Sequence, residues 1–275
     1  MKKILIFTLI IVLILGCFQS SYAQQDDLFK KHNLKFNEYQ YFKELQSKSM
    51  NELKEMGFSN DKIRELKEFD YVKAIKERAK LSKEELKKLG YNDEQISIFK
   101  NFNETEEEVI ALSAELNEDF YVFVSGRDTA EPYSYITLFL EFEWSSCPIW
   151  TLSDAIGISW SDGMKVNMNG TNFTVNYVGG STSYDWDVPL NVTPGTGIDA
   201  KWGLRDSLTG SWAKSGEGYI AINRYEYLND VEIVFKYAHG IVYPNLSVSV
   251  YGTPSVSFSG YHTIEANKYI RHYFQ

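Results

Sequence analysis

The chain is poor in the residues that mark fibrous, disulfide-stapled or nucleic-acid-binding proteins. Only two cysteines occur in 275 residues, so no disulfide framework supports the fold. Six prolines and 18 glycines are too few for collagen-like or low-complexity sequence. Lys and Arg total 28 against 37 Asp and Glu, a formal net charge of −9. No basic block lacks interleaved acids. A protein that grips phosphates needs a basic face, so nucleic acid is not an expected partner. His32, His239, His262 and His272 form no closely spaced zinc-ligand pattern, and no G-x-S-x-G occurs. What is present is 44% hydrophobic, enough for one or two domains with packed cores.

The first 23 residues read as an export signal. Lys2 and Lys3 precede an apolar run, Ile4 to Leu15, broken by Thr8. That run is shorter than the roughly 20 residues of a membrane-crossing helix. Ser21 and Ala23 place small residues at −3 and −1 for cleavage after Ala23. A second reading takes Ile14-Leu15-Gly16-Cys17 as a lipobox with Cys17 bearing lipid. The expected location is therefore extracellular, either secreted or anchored through Cys17. Cleavage at Ala23 leaves Cys147 as the sole thiol, and a lone thiol in an exported protein is expected to be buried and inert.

Beyond the signal the apolar spacing changes once. Residues 24–118 are rich in Lys, Glu and Leu and hold no proline, which predicts a helical module. Residues 119–275 hold all six tryptophans and all six prolines, and read as β structure. The expected fold is α+β: a small N-terminal helical module, then an all-β sandwich of jelly-roll type. The helical part repeats itself. Glu52–Phe69 aligns on Glu85–Phe102 at an offset of 33 residues with 7 of 18 positions identical. Gly57 and Gly90 are placed to stop one helix, and Ser59 and Asn92 to cap the next. Leu53, Met56, Ile63, Leu66 and Phe69 form one apolar stripe; Leu86, Leu89, Ile96, Phe99 and Phe102 form the other. Each unit is then a helical hairpin. The module serves either as a packing unit or as a pro-segment removed near Ala111–Ala114.

In the β part, Tyr133 to Trp144 alternates. Ile136, Leu138, Leu140, Phe142 and Trp144 lie on one face; Tyr133, Tyr135, Phe139, Glu141 and Glu143 lie on the other. Asn169-Gly170 is a tight-hairpin signal and Gly179-Gly180 a turn signal. Gly195-Thr196-Gly197-Ile198-Asp199-Ala200 matches a dinucleotide fingerprint in letters, but Lys201-Trp202-Gly203 does not start the helix that chemistry requires, so the match is read as chance. Glu141 and Glu143 on one strand face, and Asp185 and Asp187 with Asp162 and Asp199 in loops, are the carboxylates from which a hydrolase or a cation site would be built. Their spacing matches no Ca²⁺ loop. A Cys147 dyad with His239 or His262 is a further arrangement that only spatial proximity would create. Trp150, Trp186, Trp202 and Trp212 fall in apparent loops, where they either pack inward or form an exposed stacking platform.

Leu53–Ile63, Leu86–Ile96 and Phe142-Glu143-Trp144-Ser145-Ser146 before Pro148 resemble a family of secreted Gram-positive proteins. These join a helical N-terminal segment to a Trp/Tyr-rich β domain, and some are similar to geobacillin-type large bacteriocins. The resemblance implies an exported antibacterial protein and specifies no catalytic residue. Taken together, the residues predict a non-catalytic binding protein of the bacterial surface or extracellular matrix, with glycan as a candidate ligand. Its candidate contacts are Tyr133, Tyr135, Glu141, Glu143, Trp150, Trp186, Trp202 and Trp212. No cofactor and no metal are expected. The competing expectations are a bacteriocin-like or membrane-active protein and a carboxylate-based hydrolase.

Overall fold

The computed structural model of the protein describes residues 32–240, 245–251, 253–259 and 262–274. The stretch read above as an export signal, with Cys17 and Ala23, lies outside the described residues. The first described element is a strand, β1 (His32–Asn37), which the helical reading of this region did not foresee. Seven short helices follow: α1 (Glu38–Ser47), α2 (Met50–Glu55), α3 (Asn60–Glu68), α4 (Tyr71–Ala79), α5 (Lys83–Lys88), α6 (Asp93–Lys100) and α7 (Glu106–Leu112).

Each helix begins on a side chain that accepts a backbone N–H, as short helices with four unpaired donors require. Ser59 caps α3 and Asn92 caps α6, and Gln95 completes the capping box at Asn92. Between the paired helices, Gly57 and Gly90 sit at φ of 89° and 88°, the left-handed conformation that ends α2 and α5. Both repeats bury their stripes in one core. Leu53, Ile63 and Leu66 from the first unit meet Leu86, Ile96 and Phe99 from the second.

The β part is a sandwich of two antiparallel sheets. The first, sheet A, runs β1, β2 (Glu115–Arg127), β3 (Ser134–Trp144), β10 (Trp212–Arg224), β6 (Asn172–Val178) and β7 (Tyr184–Asp187), with β5 (Lys165–Val166) also on β10. The second, sheet B, runs β14 (His262–Tyr273), β11 (Asp230–His239), β4 (Ser153–Trp160), β9 (Gly197–Gly203) and β8 (Leu190–Thr193). A separate two-stranded sheet joins β12 (Asn245–Tyr251) to β13 (Thr253–Ser259). The inner faces meet through aromatic rings. Phe120 stacks on Phe235 at 4.6 Å, and Phe142 on Trp202 at 5.1 Å.

The predicted Asn169-Gly170 hairpin is not formed. Met168–Gly170 is a 3₁₀ turn, and β5 and β6 both pair with β10 rather than with each other. The long β10 template holds the two segments end to end. Gly195–Ala200 leads into strand β9, with no helix after it.

The helices and the sandwich are interlocked. Strand β1 extends sheet A by pairing with β2, and β2 begins at Glu115, inside the range assigned to the helical module. The segment Ser145–Trp150 enters the helical layer. Cys147 N–H donates to the Leu89 carbonyl, and Trp150 packs in the helical core. Arg78 donates to the carbonyls of Cys147 and Pro148 and to the Tyr91 hydroxyl. Trp212 Nε1 donates to the Lys88 carbonyl at 2.9 Å.

Candidate functional site

Antiparallel register turns the alternation of each strand into rows that cross sheet A. One row on its outer face aligns Tyr121, Phe139 and Tyr219 from β2, β3 and β10. The next aligns Asp119, Glu141 and Glu217, continuing to Thr174 and Asp187 on β6 and β7. A third aligns Asn117, Glu143, Ser215, Asn176 and Asp185. Rows lie about 7 Å apart and neighbouring strands about 4.8 Å apart. An aromatic band therefore borders an acidic one on a single face.

The aromatic band is continuous. Tyr121 and Tyr219 flank Phe139 at 5.2 and 5.0 Å, and Phe123 reaches Tyr219 at 5.3 Å. Phe123 is exposed, on the same face as Tyr121 by alternation, and the bulge between Val122 and Val124 turns Val124 outward beside it. At the far end of the face Tyr133 contacts Tyr135 and Tyr225 at 6.1 and 5.1 Å. The acidic band lines an open depression of about 590 Å³, with Glu141, Glu143, Asp185 and Glu217 on its walls. Thr174 Oγ1 donates to Asp187, and Asn176 Nδ2 to Asp185, both at 2.8 Å. Lys214 pairs with Glu143 at 3.2 Å.

Four of the sequence-predicted contacts fall on this face: Tyr133, Tyr135, Glu141 and Glu143. The tryptophans do not join them. Trp202 and Trp212 are 1% exposed and sit in the sandwich core. Each lies on a strand rather than in the loop expected of it. Trp150 fills the helical core. Trp186 is exposed, but it pairs with Val175 and contacts Tyr177, residues of the opposite, core-facing side. The aromatic row on sheet A is thus made of Tyr and Phe, with Phe139 buried between the half-buried Tyr121 and Tyr219. Glu217, Asp119, Tyr121 and Tyr219 were missed as site residues, although Glu217 and Tyr219 alternate with Gly216 and Gly218 in a way that marks one face of a strand.

The remaining candidates resolve separately. Among the described residues no three of His, Cys, Asp and Glu converge in a metal-binding group. Asp199 accepts from Asn191 at 2.9 Å on β9, and burial raises its pKa. Asp162 accepts from Ser161 Oγ in a turn. Cys147 is buried beside Arg205, and burial pushes its thiol pKa up despite that guanidinium and Arg78. His239 has carboxylates as its partners, so it is a hydrogen-bonded structural residue and forms no dyad with Cys147. The His262 side chain lies outside the described residues.

His239 belongs to a buried polar chain between helices and sandwich. His239 Nδ1 lies 2.8 Å from Asp154 Oδ1, and Nε2 lies 3.8 Å from Glu38 Oε1. Trp144 Nε1 and the Tyr237 hydroxyl donate to Asp154 Oδ2. Glu38 accepts from Tyr71 and from the backbone N–H groups of Ile149 and Trp150, at 2.7–2.9 Å. Burial opposes charge on both His239 and Glu38. Even so, Asp154 and Glu38 lift His239 to about 9, and His239 with the two N–H donors holds Glu38 below its ordinary value. The imidazolium is therefore held charged between two acids.

No family model and no curated protein matches the chain. Solved structures do overlap with it. The collagen-binding domain of a Staphylococcus aureus adhesin is 12% identical with a TM-score of 0.29, over 50% of this chain and 95% of that one. The collagen-binding subdomain of the Enterococcus faecalis surface protein ACE is 9% identical with a TM-score of 0.26, over 56% and 90%. The Streptococcus pneumoniae pilus backbone is 10% identical with a TM-score of 0.29, over 55% and 43%. Overlaps this slight leave the function to be argued from the chain's own residues.

Proposed function

We propose that the protein is an exported, non-catalytic binding protein of the bacterial surface or matrix that holds a glycan on the outer face of sheet A. The observation that carries this reading is the Tyr121–Phe139–Tyr219 row bordering the Asp119–Glu141–Glu217 row. Sugar rings present C–H faces that stack on aromatic rings, and hydroxyls that donate to carboxylates. The two needs are met here about 7 Å apart, within the span of one or two sugar units. The acidic row also repels sulfated or carboxylated polymers. Calorimetry against soluble neutral polysaccharides and heparin tests the reading. We expect binding of at least one neutral polymer and none of heparin. Tyr219→Ala and Glu217→Gln should each weaken affinity by about tenfold or more, an effect on the order of 1.4 kcal/mol. Absence of binding across the panel, or affinity indifferent to both substitutions, refutes it.

One observation favours a second reading. Glu141 and Glu217 face each other on neighbouring strands, which is the convergence of acids from different strands that a carboxylate-based hydrolase requires. Release of reducing ends from a bound polysaccharide, abolished by Glu141→Gln with binding retained, would move the assignment from binding to hydrolysis.

A further inference from the structure

The outer face of sheet A carries aromatic side chains in two places. The strand register sets out its rungs in order along β3. Tyr135 stands opposite Gly126 on β2 and Asn223 on β10. Thr137 stands opposite Val124 and Ala221. Phe139 stands opposite Tyr121 and Tyr219, and Glu141 opens the acidic band beyond it. The face therefore runs aromatic, small, aromatic, acidic. Tyr135 and Phe139 are four residues apart on one extended strand, about 14 Å. The ridge at Phe139 meets solvent mainly through Phe123, 45% exposed and 5.3 Å from Tyr219.

The second ridge is built on Tyr135, and Gly126 decides how its ring lies. A Cβ added to Gly126 would stand 2.7 Å from the Tyr135 hydroxyl oxygen and 2.9 Å from the ring carbon that bears it. The end of the ring thus fills the space a side chain at 126 would take. It is laid down over β2 instead of standing up from the sheet, and a ring so laid turns one face to solvent. Tyr135 is 36% exposed. Tyr133 lies beside it at 6.1 Å with 30° between the ring planes, and Tyr225, 73% exposed, adds a third ring 5.1 Å from Tyr133. Between the two ridges the floor is low, made of Thr137 and Ala221. The Met168–Gly170 turn borders it on one side. A Cβ added to Gly170 would stand 3.0 Å from the Ala221 Cβ, and Thr171 Oγ1 accepts the Ala221 N–H at 3.0 Å. Val124, exposed, borders it on the other.

The arrangement selects among occupants. A protein or lipid partner is matched by a continuous apolar patch. Here the rings are parted by Thr137 and Ala221 and bordered by acids. The complementary ligand is narrow and uncharged, and repeats apolar ring faces and hydroxyls along its length. A linear neutral polysaccharide has that chemistry. The distance of about 14 Å between ridges is the length of roughly three sugar units, so a chain touching both needs at least four. Once one ridge is engaged, the second contact is made within the same complex, and such linkage strengthens binding by about 10²–10⁴-fold without any tighter single contact. We propose, resting on the glycan reading above, that the Tyr133–Tyr135–Tyr225 ridge is a second subsite of the same face, and that the protein selects polysaccharide chains long enough to reach both ridges over short saccharides. The chain lies along β3, across the floor of Thr137 and Ala221, with the Asn223 amide and the Thr137 hydroxyl beneath its hydroxyl groups.

The test titrates the full-length chain by calorimetry with cello-oligosaccharides and N-acetylchito-oligosaccharides of two to six units. In at least one series, affinity should rise tenfold or more between two and six units, the gain appearing once four units are reached. Tyr135→Ala should abolish that gain, so that six units bind little better than two. Tyr225 lies largely in solvent, so Tyr225→Ala leaves the core untouched. It should reduce the same gain, and it decides the matter if Tyr135→Ala disturbs the strand. Affinity that does not strengthen with length, or a gain that survives these substitutions, overturns the second subsite and leaves the reading built on Tyr219 and Glu217 standing. No binding by any oligosaccharide or polysaccharide overturns both. Capture of phosphatidylcholine vesicles, lost in Tyr135→Ala while every saccharide is inert, gives the face to a lipid surface and likewise overturns the proposal.

Discussion

At the scale of single residues, the most consequential side chain is Glu38. It is the first residue of α1 and its carboxylate faces the charged His239 at 3.8 Å. Glu38→Gln leaves that imidazolium short of one counter-charge in a buried setting, a loss of about 3–5 kcal/mol. A fall in the thermal midpoint and in the urea midpoint should report it. The pH dependence has a definite sign. His239 is raised from 6.5 to about 9, so its stabilising charge is fully present below 6.5 and lost as pH rises through 9. Glu38 is lowered from 4.5, so its contribution is present above 4.5 and lost as pH falls further. Thermal stability should therefore be greatest between these limits and decline towards pH 9. His239→Gln should be less stable near pH 6 and should flatten the decline on the alkaline side. An unchanged alkaline slope in that variant would remove His239 from the explanation. None of this was legible in the sequence. Glu38 reads there as one acid among many on a Lys/Glu-rich helix, and its partners lie more than a hundred residues away at Trp150 and His239.

At the scale of elements, the close approach of Gly179 to α5 decides how the two layers fit. Gly179 has φ of 84°, and an added Cβ would stand 2.1 Å from the Lys88 carbonyl oxygen. Gly179→Ala should cost about 2–4 kcal/mol from left-handed strain and backbone collision. Because the clash falls on the contact between layers, proteolysis should begin in the helical part before the sandwich is cut. Cleavage starting instead in the β strands would contradict that assignment. The elements themselves were unevenly legible. The outward Tyr/Glu set of β3 could be read directly, because eleven residues of strand alternate except at Phe139, an outward ring that is itself buried. The helix starts and stops of the repeat could also be read, since caps and glycines act locally. Strand β1 could not, because six residues, His32–Asn37, form a strand only by pairing with β2. The Trp202 and Trp212 positions misled for a related reason. Glycine and polar neighbours suggest loops, while burial of Trp202 against Phe142 and Phe173 and of Trp212 beneath the Lys88 carbonyl depends on distant layers that local sequence does not reveal.

At the scale of the whole molecule, the helical layer is built into the sandwich. Arg78, Glu38 and the Lys88 and Leu89 carbonyls all satisfy groups from the β part, and β1 occupies a place in sheet A. A chain beginning at Glu115 should therefore lack an edge strand, expose Trp150 and leave the Ile149 and Trp150 N–H groups without their carboxylate. We expect it to be aggregation-prone and to melt well below the full-length protein, as followed by circular dichroism and light scattering. Equal stability of the shortened chain would favour a removable pro-segment. The order in which strands join has a kinetic corollary. Sheet A pairs Leu34 with Glu118 and Ser134 with Arg224, so neither its first neighbours nor its central ones are neighbours along the chain. Long loops must close before such partners reward one another, and topologies of that kind acquire native order over milliseconds to seconds rather than microseconds. For the exported protein proposed above, that delay is a window in which the chain stays threadable.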